Sequence, residues 1–164
     1  MEGLTKLKDS GMERLIIDLR NNYGGYLSQA VSIADELLPG NQLIVYTEGK
    51  STRYNEKNFA GHEGVFEEGA LILIIDEGSA SAAEILAGAV QDNDRGLIVG
   101  RRSFGKGLVQ IESLLPDSSA IRLTTSRYYI PSGRCIQKQY NGATSEYYDE
   151  VSERIRHGEL LSKD

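Results

Sequence analysis

One cysteine, Cys135, in 164 residues leaves no partner for an internal disulfide and no second thiolate for a metal cluster within the chain. Histidine is nearly as scarce. His62 and His157 are the only two, so a Ser-His-Asp triad would have to draw on one of them, and no His-x-x-x-His pair is present to bind a catalytic zinc. His62 falls in a polar, glycine-bearing stretch and His157 near the end of the chain, places that suit solvated histidines. Basic charge is also short: 18 Lys and Arg against 24 Asp and Glu give a net charge of −6. With no basic cluster to offset it, that balance excludes nucleic acid as a partner. Long apolar runs are missing as well. Stretches such as Ala70 to Ile75 fall far below the roughly 18 residues a membrane span needs, and the charged start is unlike a signal peptide, so a soluble chain is expected.

What is present suffices for one core. An apolar content of 40% over 164 residues predicts a single domain spanning 1–164. Both ends read as cut, which makes the chain an excised core of something larger. Leu4, Leu7 and Met12 suggest a short first helix before the strand Leu15 to Leu19. A glycine turn at residues 20 to 26 follows, and then Leu27, Ala30, Val31, Ile33, Ala34, Leu37 and Leu38 recur at helical spacing up to Pro39-Gly40. Leu43 to Tyr46 reads as a strand, Ser51 to Asn58 as an edge strand or loop, and Gly61 to Gly69 as loop. Ala70 to Ile75 and Leu97 to Val99 read as buried strands of a parallel sheet, with a helix from Ser81 between them. Leu108 to Ile111 and Ala120 to Tyr129 look antiparallel. Tyr147, Val151 and Ile155, four apart, predict a last helix over 145–157, within a helical or flexible tail at 137–164. The tyrosines at 128, 129, 140, 147 and 148 are expected to supply packing surface. The expected class is therefore α/β: a central, mostly parallel sheet with flanking helices and a β-rich carboxyl-terminal part.

In such sheets chemistry collects in the turns at the carboxyl ends of strands. Three qualify, at 20 to 26, 76 to 81 and 100 to 107. The second puts Ser79 and Ser81 at a strand-to-helix junction, where unpaired N–H groups and the helix dipole favour an oxyanion. A capping serine would have the same surroundings. The third carries Gly100, Gly105 and Lys106 in phosphate-loop spacing, but Gly107 stands where Ser or Thr must meet magnesium and strand follows instead of helix, so a nucleotide site is excluded. A lysine there can serve as a base only if burial lowers its pKa by several units from about 10.4. An exposed lysine on a glycine loop is the plainer alternative. The first turn, with Gly24 and Gly25, lets backbone N–H groups approach a ligand. Asp92 and Glu84, on the helix after Ser81, are expected to hold neighbouring turns.

Four blocks in order carry a resemblance: Asp18 to Gly25, Gly78 to Asp92, Phe104 to Gln110 and Leu123 to Arg134. Together they closely resemble the carboxyl-terminal processing peptidases, or tail-specific proteases, of peptidase family S41, over about residues 14 to 136. The resemblance implies a fold like that of the ClpP and crotonase group and a serine-lysine dyad. By residue match, Ser81 rather than Ser79 is the nucleophile, Lys106 the general base and Gln110 the group that orients the lysine. The Ala82 N–H and one of Gly24 and Gly25 form the oxyanion hole. It further implies a protein or peptide substrate, no metal or organic cofactor, a PDZ domain in the longer chain, a homo-oligomer as one option, and a place in the cell envelope or periplasm. Three departures stand out: Tyr23 replaces a usual proline, Ala83 a common serine, and neither the PDZ domain nor further strands after Pro131-Ser132-Gly133 are in this sequence. A fragment without them is implied to be inactive or misregulated. Two other functions are weighed beside peptidase activity, a module that grips peptides without cutting and a crotonase-like acyl-CoA enzyme. Thioester chemistry has no need of a serine-lysine pair, so the Lys106 block argues against the latter.

Overall fold

The computed structural model describes residues 2–139 and 144–159. Helix α1 (Glu2–Asp9) leads into strand β1 (Arg14–Asp18), and α2 (Leu27–Asp35) follows the glycine turn. Strand β2 (Leu43–Gly49), a short 3-10 turn at Thr52–Tyr54 and β3 (Glu56–Phe59) precede β4 (Ala70–Ile75). Then come α3 (Ala82–Asp92), β5 (Leu97–Gly100), β6 (Leu108–Leu114), β7 (Ala120–Tyr129) and α4 (Thr144–Arg156). Tyr140 and residues 160 to 164 lie outside the described residues, as do the side chains of Tyr147 and Tyr148.

The strands form two sheets where one central sheet was expected. One is parallel, in the order β1-β4-β5; the other is antiparallel, in the order β3-β2-β7-β6. Hydrophobic periodicity marks a strand but not its partner. In β2 the adjacent Ile44 and Val45 are both fully buried, beside an irregularity in its pairing with β3, and alternation resumes at half-buried Tyr46 and buried Thr47. Residues 51 to 58 divide between the 3-10 turn and β3, which pairs with β2 at the sheet's edge.

Helix α3 is the centre of the molecule. Every residue from Ala83 to Val90 is buried, and the helix packs on α2, β2 and β5. A helix surrounded on all sides must be slim, and its Ala and Gly content makes it so. At Gly88 a Cβ would stand 2.4 Å from Ile130 Cγ2, so the chain leaving β7 rides directly on the helix backbone. The core runs through Leu71 and Leu73 of β4, Ile44 and Val45 of β2, and Leu37 and Leu38 just beyond α2. Helix α2 therefore ends earlier than its apolar repeat predicts.

Two further expectations are corrected. Strand β5 is not buried: Leu97 is 66% and Val99 48% exposed, because the face of the parallel sheet away from α3 is uncovered. In α4 the buried side chain among the described residues is that of Arg154, 4% exposed, while Ile155 is 46% exposed. Spacing of apolar residues located the helix. Among the described residues no helix is long and apolar enough to cross a membrane.

Candidate active site

Strands β1, β4 and β5 are neighbours in register, with Asp18 opposite Ile74 and Ile75 opposite Gly100. The three turns singled out above therefore leave adjacent strands at the same end of one sheet. Two buried side chains join the first two turns. Asp76 Oδ1 accepts the N–H groups of Asn21 (2.9 Å) and Gly78 (3.0 Å). Ser79 is fully buried, and its hydroxyl accepts the Asp76 N–H at 2.9 Å and donates to the Leu19 carbonyl at 2.8 Å. A hydroxyl so engaged is a structural bolt. Ion pairs brace the rim: Arg20 hydrogen-bonds Asp18 and holds its carboxyl at about 2, and Arg101 hydrogen-bonds Glu77 and lowers its pKa.

Ser81 differs from Ser79 in every respect. It is half-buried, stands at the N-cap of α3, and has φ 55° and ψ −115°. N-cap residues ordinarily keep an extended backbone. A left-handed φ on a residue with a Cβ costs of order 1–3 kcal/mol and persists only where the surroundings enforce it. Gly24 is part of that enforcement. Its own φ is +92°, and a Cβ there would lie 2.6 Å from the Ala80 carbonyl oxygen, 2.8 Å from the Ala82 nitrogen and 2.8 Å from Ser81 Cβ. Gly25 has nothing within 4 Å of its notional Cβ. The structure thus separates the two glycines by packing: Gly24 touches the serine turn and Gly25 is open. The Gly24 N–H donates to Asn22 Oδ1 at 2.9 Å, and the Ala82 N–H, first in the helix, finds no backbone acceptor among the described residues.

Glu84 ties the serine turn to the lysine turn. Glu84 is 7% exposed. Oε2 accepts the N–H groups of Ser81 and Lys106, both at 2.8 Å. Oε1 accepts from Gly105 N–H at 2.6 Å and from the Ser103 hydroxyl at 2.7 Å. Because one oxygen serves both, the Ser81 and Lys106 nitrogens lie no further apart than twice that hydrogen-bond length. Asp92, at the other end of α3, accepts from Ser132 N–H at 2.9 Å and pairs with Arg134 at 2.5 Å. Glu84 had a sequence signal in the capping pattern Ser81-x-x-Glu84. Arg154 has no sequence signal, since its acceptors are backbone carbonyls distant in sequence, and Asp76 has only the local one of its bond to Gly78, not that to Asn21.

Not every predicted site residue is brought together. The Lys106 side chain is exposed rather than walled in, because its neighbours Gly105 and Gly107 have no side chains with which to cover it. Among the described residues no hydrogen bond joins its amine to the Ser81 hydroxyl. Gln110 is exposed too, with its amide 3.5 Å from Thr124 Oγ1 beside a bulge between Val109 and Gln110 that turns it from regular register. It makes no hydrogen bond to Lys106. His62 is far from this chemistry in role, held by Asp35 and Glu36. Among the described residues no three His, Cys, Asp or Glu side chains are grouped to hold a metal ion.

The model of peptidase family S41 matches residues 1–148. A carboxy-terminal-processing protease of Bartonella bacilliformis is 42% identical over 133 residues, which cover 81% of this chain and 30% of that protein. A chloroplastic C-terminal processing peptidase of Tetradesmus obliquus is 36% identical over 137 residues, or 84% of this chain and 29% of its own length. Among solved structures, a photosystem II D1 C-terminal processing protease superposes with a TM-score of 0.75 at 34% identity, over 83% of this chain and 35% of its own. The chain thus spans about a third of the length of the relatives it matches. On the extent of that family match and the identity of these relatives, it belongs to peptidase family S41.

Proposed function

We propose that this chain is the core of a serine endopeptidase that cleaves carboxyl-terminal regions of protein substrates, with Ser81 as nucleophile and Lys106 as general base. The observation that carries the proposal is the shared Glu84 carboxylate, which anchors the backbones of both residues on one oxygen at the carboxyl ends of the parallel strands. The left-handed backbone of Ser81 adds to it, since strain of this kind clusters at reactive positions. We also read the packing of two sheets around α3, with backbone donors at its start, as kinship with the ClpP and crotonase group.

In acylation, neutral Lys106 takes the Ser81 hydroxyl proton as the oxygen attacks the peptide carbonyl carbon. The carbonyl oxygen becomes an oxyanion facing the Ala82 N–H and the glycine turn at 24 and 25. Collapse of the tetrahedral species breaks the C–N bond, and the lysine proton passes to the leaving amine. Water then repeats the sequence on the ester and frees the acid. Gln110 is assigned to orient the lysine in the working state, in which Lys106 must lose water and Gln110 must turn from Thr124. We assign the cover over Lys106, and the PDZ domain that selects tails, to the remaining two-thirds of a protein of the relatives' length. Substrate is an extended chain bound by strand addition to a sheet edge.

A fluorophosphonate probe tests the dyad. Ser81 is expected to be the labelled residue, and Ser81→Ala and Lys106→Ala each to abolish labelling, and turnover of an unfolded tailed substrate by the longer protein, with folding intact. Labelling that survives Lys106→Ala at full rate would refute the lysine's role.

A further inference from the structure

Residues 101–107 lie between the end of β5 and the start of β6; the Arg101 N–H still reaches the Ile75 carbonyl of β4 at 3.1 Å, and the backbone groups beyond it draw mostly on partners outside the strands. On the N–H side the Phe104 N–H goes to the Ser79 carbonyl, Gly105 and Lys106 to Glu84, and Gly107 to Gln137 Oε1. On the carbonyl side, Gly105 accepts from the Lys138 N–H and Gly107 from that of Tyr128. The carbonyls of Arg102 and Ser103 are both taken by one guanidinium. Arg154 Nη2 donates to the Arg102 carbonyl at 2.6 Å and Nη1 to the Ser103 carbonyl at 3.4 Å. Its Nε donates to Glu159 at 2.9 Å.

Arg154 is 4% exposed, and a buried guanidinium is tolerated only where its donors are used. Here the use is to fix the turn that carries Lys106. Neighbouring charges act in the same direction: Arg102 reaches Glu159 at 3.1 Å and Glu150 at 3.4 Å, and Lys138 reaches Glu150 at 2.6 Å while its amine sits 4.3 Å over the Phe104 ring. The lysine turn is thus held from two sides, its N–H groups by an acid of α3 and its carbonyls by a base of α4. The family match ends at residue 148, before Arg154.

We propose that Arg154 is a positioning residue for Lys106 and that α4 latches the lysine turn onto the serine turn. The proposal rests on Lys106 as base, but its structural half can be read separately. Amide hydrogen exchange at Phe104, Gly105 and Lys106 and the saturating rate of Ser81 labelling by a fluorophosphonate are measured for Arg154→Gln, for Arg154→Lys, and for Arg156→Gln, which removes the same charge from an exposed position one turn end away. In Arg154→Gln exchange at the three amides is expected to rise by about tenfold and the limiting labelling rate to fall by about as much, the loss of one to two hydrogen bonds' net free energy. Probe affinity and exchange in β4 stay as in the wild type. Arg154→Lys recovers part of both effects, and Arg156→Gln shows neither. Wild-type exchange at these amides in Arg154→Gln overturns the latch, as does an equal fall in labelling with Arg156→Gln. If Arg154→Gln fails to fold, Arg154→Lys decides: intermediate exchange supports the latch and wild-type exchange overturns it. Failure of the dyad gives a different result, full labelling in Lys106→Ala with loop exchange still responding to Arg154.

Discussion

Glu84 shows how much of this site depends on one carboxylate. Four donors from two turns meet on it, and removing it would leave these part-buried groups without that acceptor. Glu84→Ala is expected to cost about 3–5 kcal/mol in denaturant unfolding, and Glu84→Gln less, about 1–3 kcal/mol, since one oxygen acceptor survives. Both are expected to slow Ser81 labelling, and a wild-type labelling rate in folded Glu84→Gln would count against its role as a clamp. The paired glycines offer a sharper contrast. Gly24→Ala forces a Cβ to 2.6 Å from a backbone oxygen at a left-handed φ, whereas Gly25→Ala meets open space. The first is expected to lose both stability, by more than about 1 kcal/mol, and labelling; the second is expected to leave stability within about 0.5 kcal/mol of wild type. Glu84's tie to Ser81 was legible as a capping pattern, and the choice of Ser81 over Ser79 came from the block that matches the family. The exposure of Lys106 follows the plainer reading of a lysine flanked by glycines, whereas the cover a base would need has to come from parts of the fold that its own neighbours do not encode.

At the level of elements, turns and strands were easier to place than their partners. The three chemistry-bearing turns emerge where strand, glycine and helix signals meet, but nothing in Leu43 to Tyr46 announces that β2 joins a second sheet with β7. Likewise α4 was found from apolar spacing although its buried contact is made by Arg154, whose acceptors are carbonyls some fifty positions away. The loop between β3 and β4 has a device of its own. His62 stands between the carboxylates that end α2, Nδ1 2.5 Å from Asp35 and Nε2 3.2 Å from Glu36, and Asp35 also takes the Gly61 N–H. The hydrogen bond to Glu36, and then the charge of Asp35, raise the His62 pKa. A raised folded-state value means that the imidazolium form is the one favoured by folding. Its contribution is therefore complete below the ordinary histidine value of about 6.5 and is lost as pH rises through the raised value. The melting-temperature gap between wild type and His62→Gln is expected to be widest in mildly acidic solution and to close on the alkaline side. A gap that grows with pH would show that the neutral ring makes the contact.

Over the whole molecule, the two faces of the parallel sheet tell different stories. Toward α3, Leu71 and Leu73 are sealed. Away from it, Ile16, Ile72 and Leu97 stand in one register row across the three strands, with Ile74 and Val99 in the next, and Ile16 and Leu97 are more than 60% exposed. Parallel sheets are ordinarily covered on both faces, and among the described residues this one is covered on the α3 side alone. The consequence is measurable in this chain alone. Leu73→Ala, on the sealed face, is expected to cost about 2–5 kcal/mol. Leu97→Lys, on the open face, is expected to stay within about 0.5 kcal/mol of wild type and to reduce concentration-dependent self-association seen by light scattering, since it breaks up an exposed apolar patch. A Leu97→Lys penalty as large as that of Leu73→Ala would mean that this face is already covered in solution. The same sheet that aligns the serine and lysine turns at one end would then owe its rigidity to contacts on both sides.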